Sequence, residues 1–469
     1  MKILLFPRHE TSFQRMFPQY ETLSKDCRFD PFIILADQRV SKYTSLCDLK
    51  NIKHIDVIPK VPGDPIIGAD NIWDSICNIF PKLISGILRR KRVSFSFPVS
   101  LWRFYYVIKN YKKEAEFWLN FLQTEAPDIV FLPGDRELGF VPPLLWAARK
   151  LNIKTIISAG GIPSVEGIAA SRQSDIRFKA NLTSCPLLLN LIAAFRFPKQ
   201  EFPTRTSTLL FSPGWLILAL AKLDMLPDNP WVQGGGYADF IFMSSDQKAH
   251  FAIKQGLDRN KALVIGDAAF DALFHAKSIC KEQIAAFNDK FVLSQGKKLI
   301  VFAIPNYAEH NILHWDEHLE KLREFSTVLS HFECNVICSL HPKSDIETYR
   351  FLESDFGFHI ETSPLATILP CADVFLCGNS STIEWAIILG LPIINLDYIY
   401  MNDENYEECP SLFKVTKTKD FKETLLNLLE NLDHYTQQQI QCSAHYGILD
   451  GKFEEHLKKI VLNIKEHCP

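Results

Sequence analysis

The sequence predicts an α/β protein of two lobes, each a parallel sheet with helices wound on both faces. Three observations predict it. At 469 residues the chain exceeds one ordinary core and suits two α/β domains of roughly 200 residues or more each. Short apolar runs alternate with turns and helical stretches, as in the βαβ units of parallel sheets. The segment Pro227-Asp228-Asn229-Pro230-Trp231-Val232-Gln233-Gly234-Gly235-Gly236 interrupts all periodicity. Two prolines and three glycines there mark a hinge, so the lobes are expected at residues 1–226 and 227–469, with the C-terminal tail crossing back.

In the first lobe the buried strands are expected at 3–6, 32–35, 129–132 and 155–158. The opening Met1-Lys2-Ile3-Leu4-Leu5-Phe6-Pro7-Arg8 has too short an apolar run for a secretory leader and reads as the first strand. The second half has runs at 240–243, 262–265, 298–303, 335–340, 374–377 and 392–396. Two stretches lie outside this scheme. Residues 72–92 carry Ile, Phe and Leu at helical spacing and end in Arg89-Arg90-Lys91-Arg92; such a helix either lies on an anionic membrane surface or packs on the core with a solvated basic end. Residues 186–195 and the uncharged 206–221, interrupted by Ser212-Pro213-Gly214, are too short to span a bilayer. They read as an interfacial hairpin or as an insertion packed on the lobe.

Composition narrows the function. A formal charge of −3 gives no basic footprint for nucleic acid. The 12 cysteines are scattered with no C-x-x-C pair, so reduced thiols, a cytoplasmic location and no metal site are expected.

The strongest local signal follows the run 374–377. Gly378-Asn379-Ser380-Ser381-Thr382 leads into the apolar helical stretch Ile383-Glu384-Trp385-Ala386-Ile387-Ile388-Leu389. A helix start offers unpaired N–H groups and partial positive charge to an anion, the serines and threonine add hydroxyls, and ligands of open α/β sheets bind beyond the carboxyl ends of strands. The same residues also suit an ordinary N-cap. The preceding unit, Val336-Ile337-Cys338-Ser339-Leu340-His341-Pro342-Lys343, delivers His341 and Lys343 to the same edge, where both could neutralise a diphosphate. Glu384 is placed either to accept from ribose hydroxyls or to cap its own helix.

These residues resemble the carboxyl-terminal lobe of the GT-B superfamily, in particular UDP-N-acetylglucosamine 2-epimerases and related glycosyltransferases. The resemblance runs in order along most of the chain. Phe6-Pro7-Arg8-His9-Glu10 is similar to the first-strand loop, whose Arg and Glu face the cleft. Pro127-Asp128-Ile129-Val130-Phe131-Leu132-Pro133-Gly134-Asp135 is similar to the strand whose terminal Asp reaches the sugar, and Thr155-Ile156-Ile157-Ser158-Ala159-Gly160-Gly161 to the next strand. Val264-Ile265-Gly266-Asp267 is similar to the start of the second lobe, and His445-Tyr446-Gly447 to the tail. His341-Pro342 and Ser380-Ser381 resemble the HP and SS/ST motifs of bacterial sialyltransferases and Kdo transferases. Two departures bear on chemistry. The family strand that ends in an acid ends here in Ser158, and its Gly-His-Arg-Arg turn is replaced by Ile304-Pro305-Asn306-Tyr307-Ala308-Glu309-His310. An epimerase needs acid and base groups on the sugar, so Glu166 or His310 would have to substitute.

The resemblance implies a GT-B fold of two Rossmann-like lobes with an interlobe cleft. It implies a nucleotide-sugar-dependent glycosyltransferase of bacterial surface polysaccharide or lipopolysaccharide synthesis, without a bound cofactor. The alternatives are a UDP-N-acetylglucosamine 2-epimerase-like enzyme and a degenerate protein that binds a glycan precursor. The nucleotide, UDP- or CMP-linked, is expected on Gly378, Asn379, Ser380, Ser381, Thr382, His341, Lys343 and Glu384. Asp135 is the expected base, with Glu137 beside it, and Arg8, Glu10, Gly160 and Gly161 face the sugar and a glycan or lipid-linked acceptor. Peripheral contact with the inner face of the cytoplasmic membrane is part of the same expectation.

Overall fold

The computed structural model describes residues 1–57, 97–136, 139–158, 164–173, 175–180, 188–204, 207–291, 293–310, 312–341, 344–400, 406 and 408–467. They form two compact units: Met1–Met243 with Ala249–Val264 and Leu457–Pro469, and Ser244–Lys248 with Ile265–His456. The expected stretch at 72–92, the first two residues of the stretch at 186–195, residue 206, and the site residues Glu137, Gly160, Gly161 and Lys343 lie outside the described residues.

Among the described residues of the first unit, the chain forms β1 (Lys2–Leu5), β2 (Asp30–Leu35), β3 (His54–Asp56), β4 (Ile129–Leu132), β5 (Lys154–Ile157), the short strands β6 (Glu201–Pro203) and β7 (Thr208–Leu210), then β8 (Phe240–Met243) and β9 (Ala262–Val264). Seven of them make one sheet in the order β3-β2-β1-β4-β5-β8-β9. Every pairing in it is parallel, with Leu4 opposite Phe32 and Val130. Strands covered on both faces must be apolar at every position, which is why β4 reads Ile-Val-Phe-Leu with all four residues buried. The helix Phe97–Glu125 covers one face, where Trp118 meets Phe6 edge to face at 5.3 Å and packs with Leu4, Phe32, Val130 and Leu132. Each such side chain contributes about 1.5–3 kcal/mol by leaving water.

The hinge expected at 227–236 is a correction. β8 pairs with β5 through Ile156 and Phe240, so the first sheet continues past that segment. Prolines and glycines mark a break in periodicity equally well for a tight loop inside a unit and for a linker between units. Here they form a loop: Asn229 donates to the carbonyl of Gly235 at 2.8 Å, and a Cβ at Gly236 would lie 2.7 Å from the Asp135 carboxylate. The run at 206–221 divides into β7 and a separate helix, Gly214–Lys222. Among the described residues no helix is long and apolar enough to cross a membrane.

The second unit contains β10 (Lys298–Ala303), β11 (Cys334–Ser339), β12 (His359–Glu361), β13 (Val374–Cys377), β14 (Ile393–Leu396) and β15 (Leu412–Val415). Their order is β12-β11-β10-β13-β14-β15, all parallel. Alternate residues feed opposite faces. Ile300, Phe302, Val336, Cys338, Val374 and Leu376 pack with Leu322, Phe325 and Phe421, whereas Val301, Ile337 and Phe375 pack with Phe270, Ile383 and Ile387. This is a doubly wound sheet whose strand order reverses between β10 and β13, the position where such sheets open a ligand crevice at their carboxyl edge.

Candidate functional site

The reversal point brings together the loops that leave β10 and β13. The loop after β13 approaches its neighbour so closely that only glycine fits at 378: a Cβ there would stand 2.6 Å from the Tyr307 hydroxyl and 2.8 Å from Pro305 Cγ. The Asn379 backbone N–H donates to Tyr307 Oη at 2.8 Å. The Asn379 side chain is held from behind, donating to Asp397 Oδ1 at 2.6 Å and accepting from Asn395 Nδ2 at 2.9 Å. Ser380 Oγ accepts from the Thr382 N–H at 3.2 Å and lies 2.8 Å from Thr382 Oγ1, while Ser381 is exposed. The helix Ile383–Leu389 begins at once, so its first N–H groups face the carboxyl edge with the hydroxyls of this turn.

The loops after β10 and β11 meet beside it. His341 ends the β11 segment half-buried, and its ring centroid is 6.2 Å from that of the exposed His310, edge to face. Beneath them runs a string of polar groups. Glu309 Oε1 accepts from Ser344 Oγ and, at 2.9 Å, from Tyr349 Oη. Tyr349 Oη is 3.2 Å from Nε2 of the fully buried His318, whose Nδ1 is 3.4 Å from Tyr398 Oη. Burial raises the Glu309 carboxyl, but hydrogen bonds from the Ser344 hydroxyl, its own backbone N–H and the Tyr349 hydroxyl, with His318 nearby, together leave it below its ordinary range. Burial pushes His318 down, favouring the neutral ring, and pushes Tyr307 up to about 12, so its hydroxyl stays protonated. The string ties the 304–310 loop to the chain after β11 and leaves His310 exposed and His341 half-buried. The loops at this edge carry backbone N–H groups, hydroxyls and two imidazoles, groups of the kind that bind a polyoxyanion.

Two expected site residues do other work. Glu384 neither caps its helix nor faces outward: it is 6% exposed, pairs with Lys248 Nζ at 2.5 Å and accepts from Ser244 Oγ at 3.3 Å. Burial raises its carboxyl despite Lys248. Asp135, the expected base, is 4% exposed and accepts from the backbone N–H of Gly236 at 2.6 Å and of Gly234 at 3.1 Å. Burial raises its carboxyl, yet both oxygens are spent holding the 234–236 loop. A base must reach a substrate proton, and this one is turned into its own unit.

At the carboxyl edge of the first sheet, Arg8 Nε stands 3.7 Å from Asp37 and Glu10 pairs with Lys42 at 2.8 Å. His9, not foreseen, caps the helix Glu10–Ser24: its Nδ1 accepts from the Ser12 N–H while Ser12 Oγ accepts from the His9 N–H. Glu166 is exposed in the first turn of its helix. Sequence reasoning also missed Tyr307, His318 and Tyr349; the only signal was polar residues on the buried faces of otherwise amphipathic segments. Among the described residues no group of His, Cys, Asp or Glu is arranged to hold a metal ion.

Among solved structures, the UDP-GlcNAc 2-epimerase of Neisseria meningitidis bound to UDP-GlcNAc matches with a TM-score of 0.52, covering 99% of this chain and 100% of that one at 14% identity. The chain has the GT-B fold. A glycosyltransferase of Rickettsia africae and the MurG of Acinetobacter baumannii each match at a TM-score of 0.49 and 10% identity, over 99% and 98% of this chain and 98% and 99% of theirs. No protein-family model matches this GT-B chain, and no curated protein matches it.

Proposed function

We propose that this protein is a nucleotide-sugar-dependent glycosyltransferase of surface-glycan synthesis that holds the donor's diphosphate at the carboxyl edge of its second sheet. The observation that supports the reading is that the 378–382 turn bonds to Tyr307 of the 304–310 loop, and that this loop also carries His310, whose ring meets that of His341 after the neighbouring strand. A departing nucleoside diphosphate gains negative charge. Donors fixed in place by buried partners stabilise that charge without reorganising. His341, and His310 beside it, are assigned to the leaving diphosphate, and Gly378, Asn379, Ser380, Ser381 and Thr382 to its binding. Glu384 is assigned a positioning role through Lys248, and Asp135 no catalytic one.

A second reading, sugar 2-epimerisation, is favoured by His310, which supplies an exposed imidazole in the loop where the epimerases resembled above carry theirs. The test has two stages. Thermal unfolding is measured with millimolar UDP, CDP, CMP and GDP, since a ligand bound only by the native state adds about 2.7 kcal/mol at one hundred times its Kd. One of the four is expected to raise Tm for the wild type, and His341→Ala to remove most of that rise. No rise with any nucleotide, or an unchanged rise in the variant, refutes the site. NMR of UDP-N-acetylglucosamine incubated without acceptor then separates the readings, because C2 inversion occurs only under the second.

A further inference from the structure

One guanidinium of the first unit is fixed in place without a carboxylate. Arg172 is the last residue of the helix Val165–Arg172 and is half-buried. Its guanidinium lies 4.4 Å from the Phe211 ring centroid, 5.4 Å from that of Phe178 and 5.9 Å from that of Trp231. Nε donates to the Phe211 carbonyl at 2.9 Å, and Nη1 donates to the Ile168 carbonyl at 3.2 Å and to Ser171 Oγ at 3.4 Å. The support is firm, since Trp231 is buried and meets Phe211 edge to face at 5.4 Å. Nη2 takes part in none of these bonds, and it is not among the unpaired groups shut away from solvent. Its two N–H donors therefore face outward from a rigid mount.

The surrounding acids leave that charge uncompensated. Asp175 pairs with Arg177 at 2.6 Å, Glu166 is exposed in the first turn of the helix, and burial alone acts on Glu201. The neighbouring Arg136, 5.9 Å from the same Phe211 ring, has the Asp135 carboxylate acting on it. Burial alone acts on Arg172 and pushes it down. Arg28, Arg39, Arg177, Arg323 and Arg350 are all exposed, where water could solvate them, and yet each pairs with a carboxylate. Arg172 has less water and no such partner among the described residues. A cation drawn out of water without a counter-ion is costly, and a planar guanidinium with an open edge is preorganised for an oxyanion.

We propose that the Nη2 edge of Arg172 binds the carboxylate or phosphate group of a small molecule, with the half-buried Phe178 as an apolar wall beside it. The rings and carbonyls that hold the guanidinium spare the ligand the cost of ordering it. The inference is independent of the nucleotide site.

Binding to the full-length protein is followed by NMR of the probe, as saturation transfer to glucuronate and to glucose and as the phosphorus line width of inorganic phosphate. The wild type is expected to bind glucuronate or phosphate and to ignore glucose, which has a similar ring without the charge. A response to glucuronate identifies a carboxylate site, and one to phosphate alone a phosphate site. Arg172→Met is expected to weaken binding by roughly tenfold or more, the worth of hydrogen bonds to a charged group. Phosphate held by the 378–382 turn would survive that change, so only the part lost in the variant is assigned to Arg172. Arg196→Met, which removes an exposed cation of the same unit, is expected to change nothing. Should Arg172→Met fail to fold, Arg172→Lys decides: it keeps the charge and loses the planar fork, so binding is expected to fall, though less. Equal oxyanion binding by the wild type and the Arg172 variants, no binding of either oxyanion, or glucose bound as well as glucuronate overturns the proposal. So does an equal loss in Arg196→Met, which would reduce the effect to net charge.

Discussion

The close approach of Gly378 to the 305–307 segment makes a double-mutant cycle informative. A Cβ added at 378 would lie 2.6 Å from Tyr307 Oη, 2.8 Å from Pro305 Cγ and 3.0 Å from Pro305 Cβ. Pro305 is buried and rigid, and Tyr307 packs against Tyr398 at 5.3 Å between ring centroids, so neither yields readily. Overpacking of this kind costs about 1–3 kcal/mol, and Gly378→Ala is expected near 2 kcal/mol by the same rule. Tyr307→Phe removes the acceptor of the Asn379 N–H; leaving a part-buried donor unmade costs about 1 kcal/mol, the low end of the range. In the double variant the tightest contact has gone, while the proline contacts remain. The two changes should therefore cost about 1 kcal/mol less together than their sum. Urea unfolding of the four full-length proteins, followed by circular dichroism, measures the cycle. Additivity within about 0.5 kcal/mol, or a Gly378→Ala variant as stable as the wild type, would refute the packing argument.

Lys248→Met should destabilise the second unit by about 3 kcal/mol at neutral pH, because it strands the buried Glu384 carboxylate. Burial raises the Glu384 carboxyl in the fold, so its charged form is the costly one; the deficit should shrink as pH falls through that raised pKa, and thermal melts between roughly pH 8 and pH 5 would show it. Asp135→Asn replaces one acceptor with a donor against the N–H groups of Gly234 and Gly236 and should lower stability by about 1–3 kcal/mol. Any loss of activity should then follow the folded fraction; a stable but inactive variant would restore Asp135 as a base.

The sequence reveals central strands far better than edge strands. The runs at 129–132, 240–243, 298–303 and 374–377 coincide with β4, β8, β10 and β13, since burial on both faces forces an unbroken apolar run. In the two large sheets the missed strands β3, β12 and β15 are edges of three or four residues, His-Ile-Asp, His-Ile-Glu and Leu-Phe-Lys-Val, although the edge strand β9 coincides with the run at 262–265, and the short pair β6 and β7 was missed as well. A short strand with polar residues in it carries no such run. In the site, the 378–382 turn was legible because strand, turn and helix are contiguous. Glu384 and Asp135 were misread because their partners are remote: Lys248 is 136 positions from Glu384, and Gly236 is 101 from Asp135. No local pattern encodes a partner at that distance.

Both sheets reverse strand order at the same topological position, between β1 and β4 in one and between β10 and β13 in the other, so topology alone gives each unit a crevice. What differs is how the side chains there are committed. In the first unit several described polar groups at that edge are turned to local partners: Ser12 and His9 close the helix start, Asp37 accepts from the Arg39 guanidinium and backbone N–H, and Asp135 holds its own loop. In the second unit the commitments lie one layer deeper. Tyr307, Glu309, His318, Tyr349 and Asp397 bond among the loops, and their effect is to leave Ser381, His310 and His341 at or near the surface on a fixed frame. Donors held by a second set of buried groups lose little freedom when a ligand arrives, and preorganised donors bind developing charge best. That asymmetry, and not the shared strand order, is the physical ground for assigning the anion to the second unit.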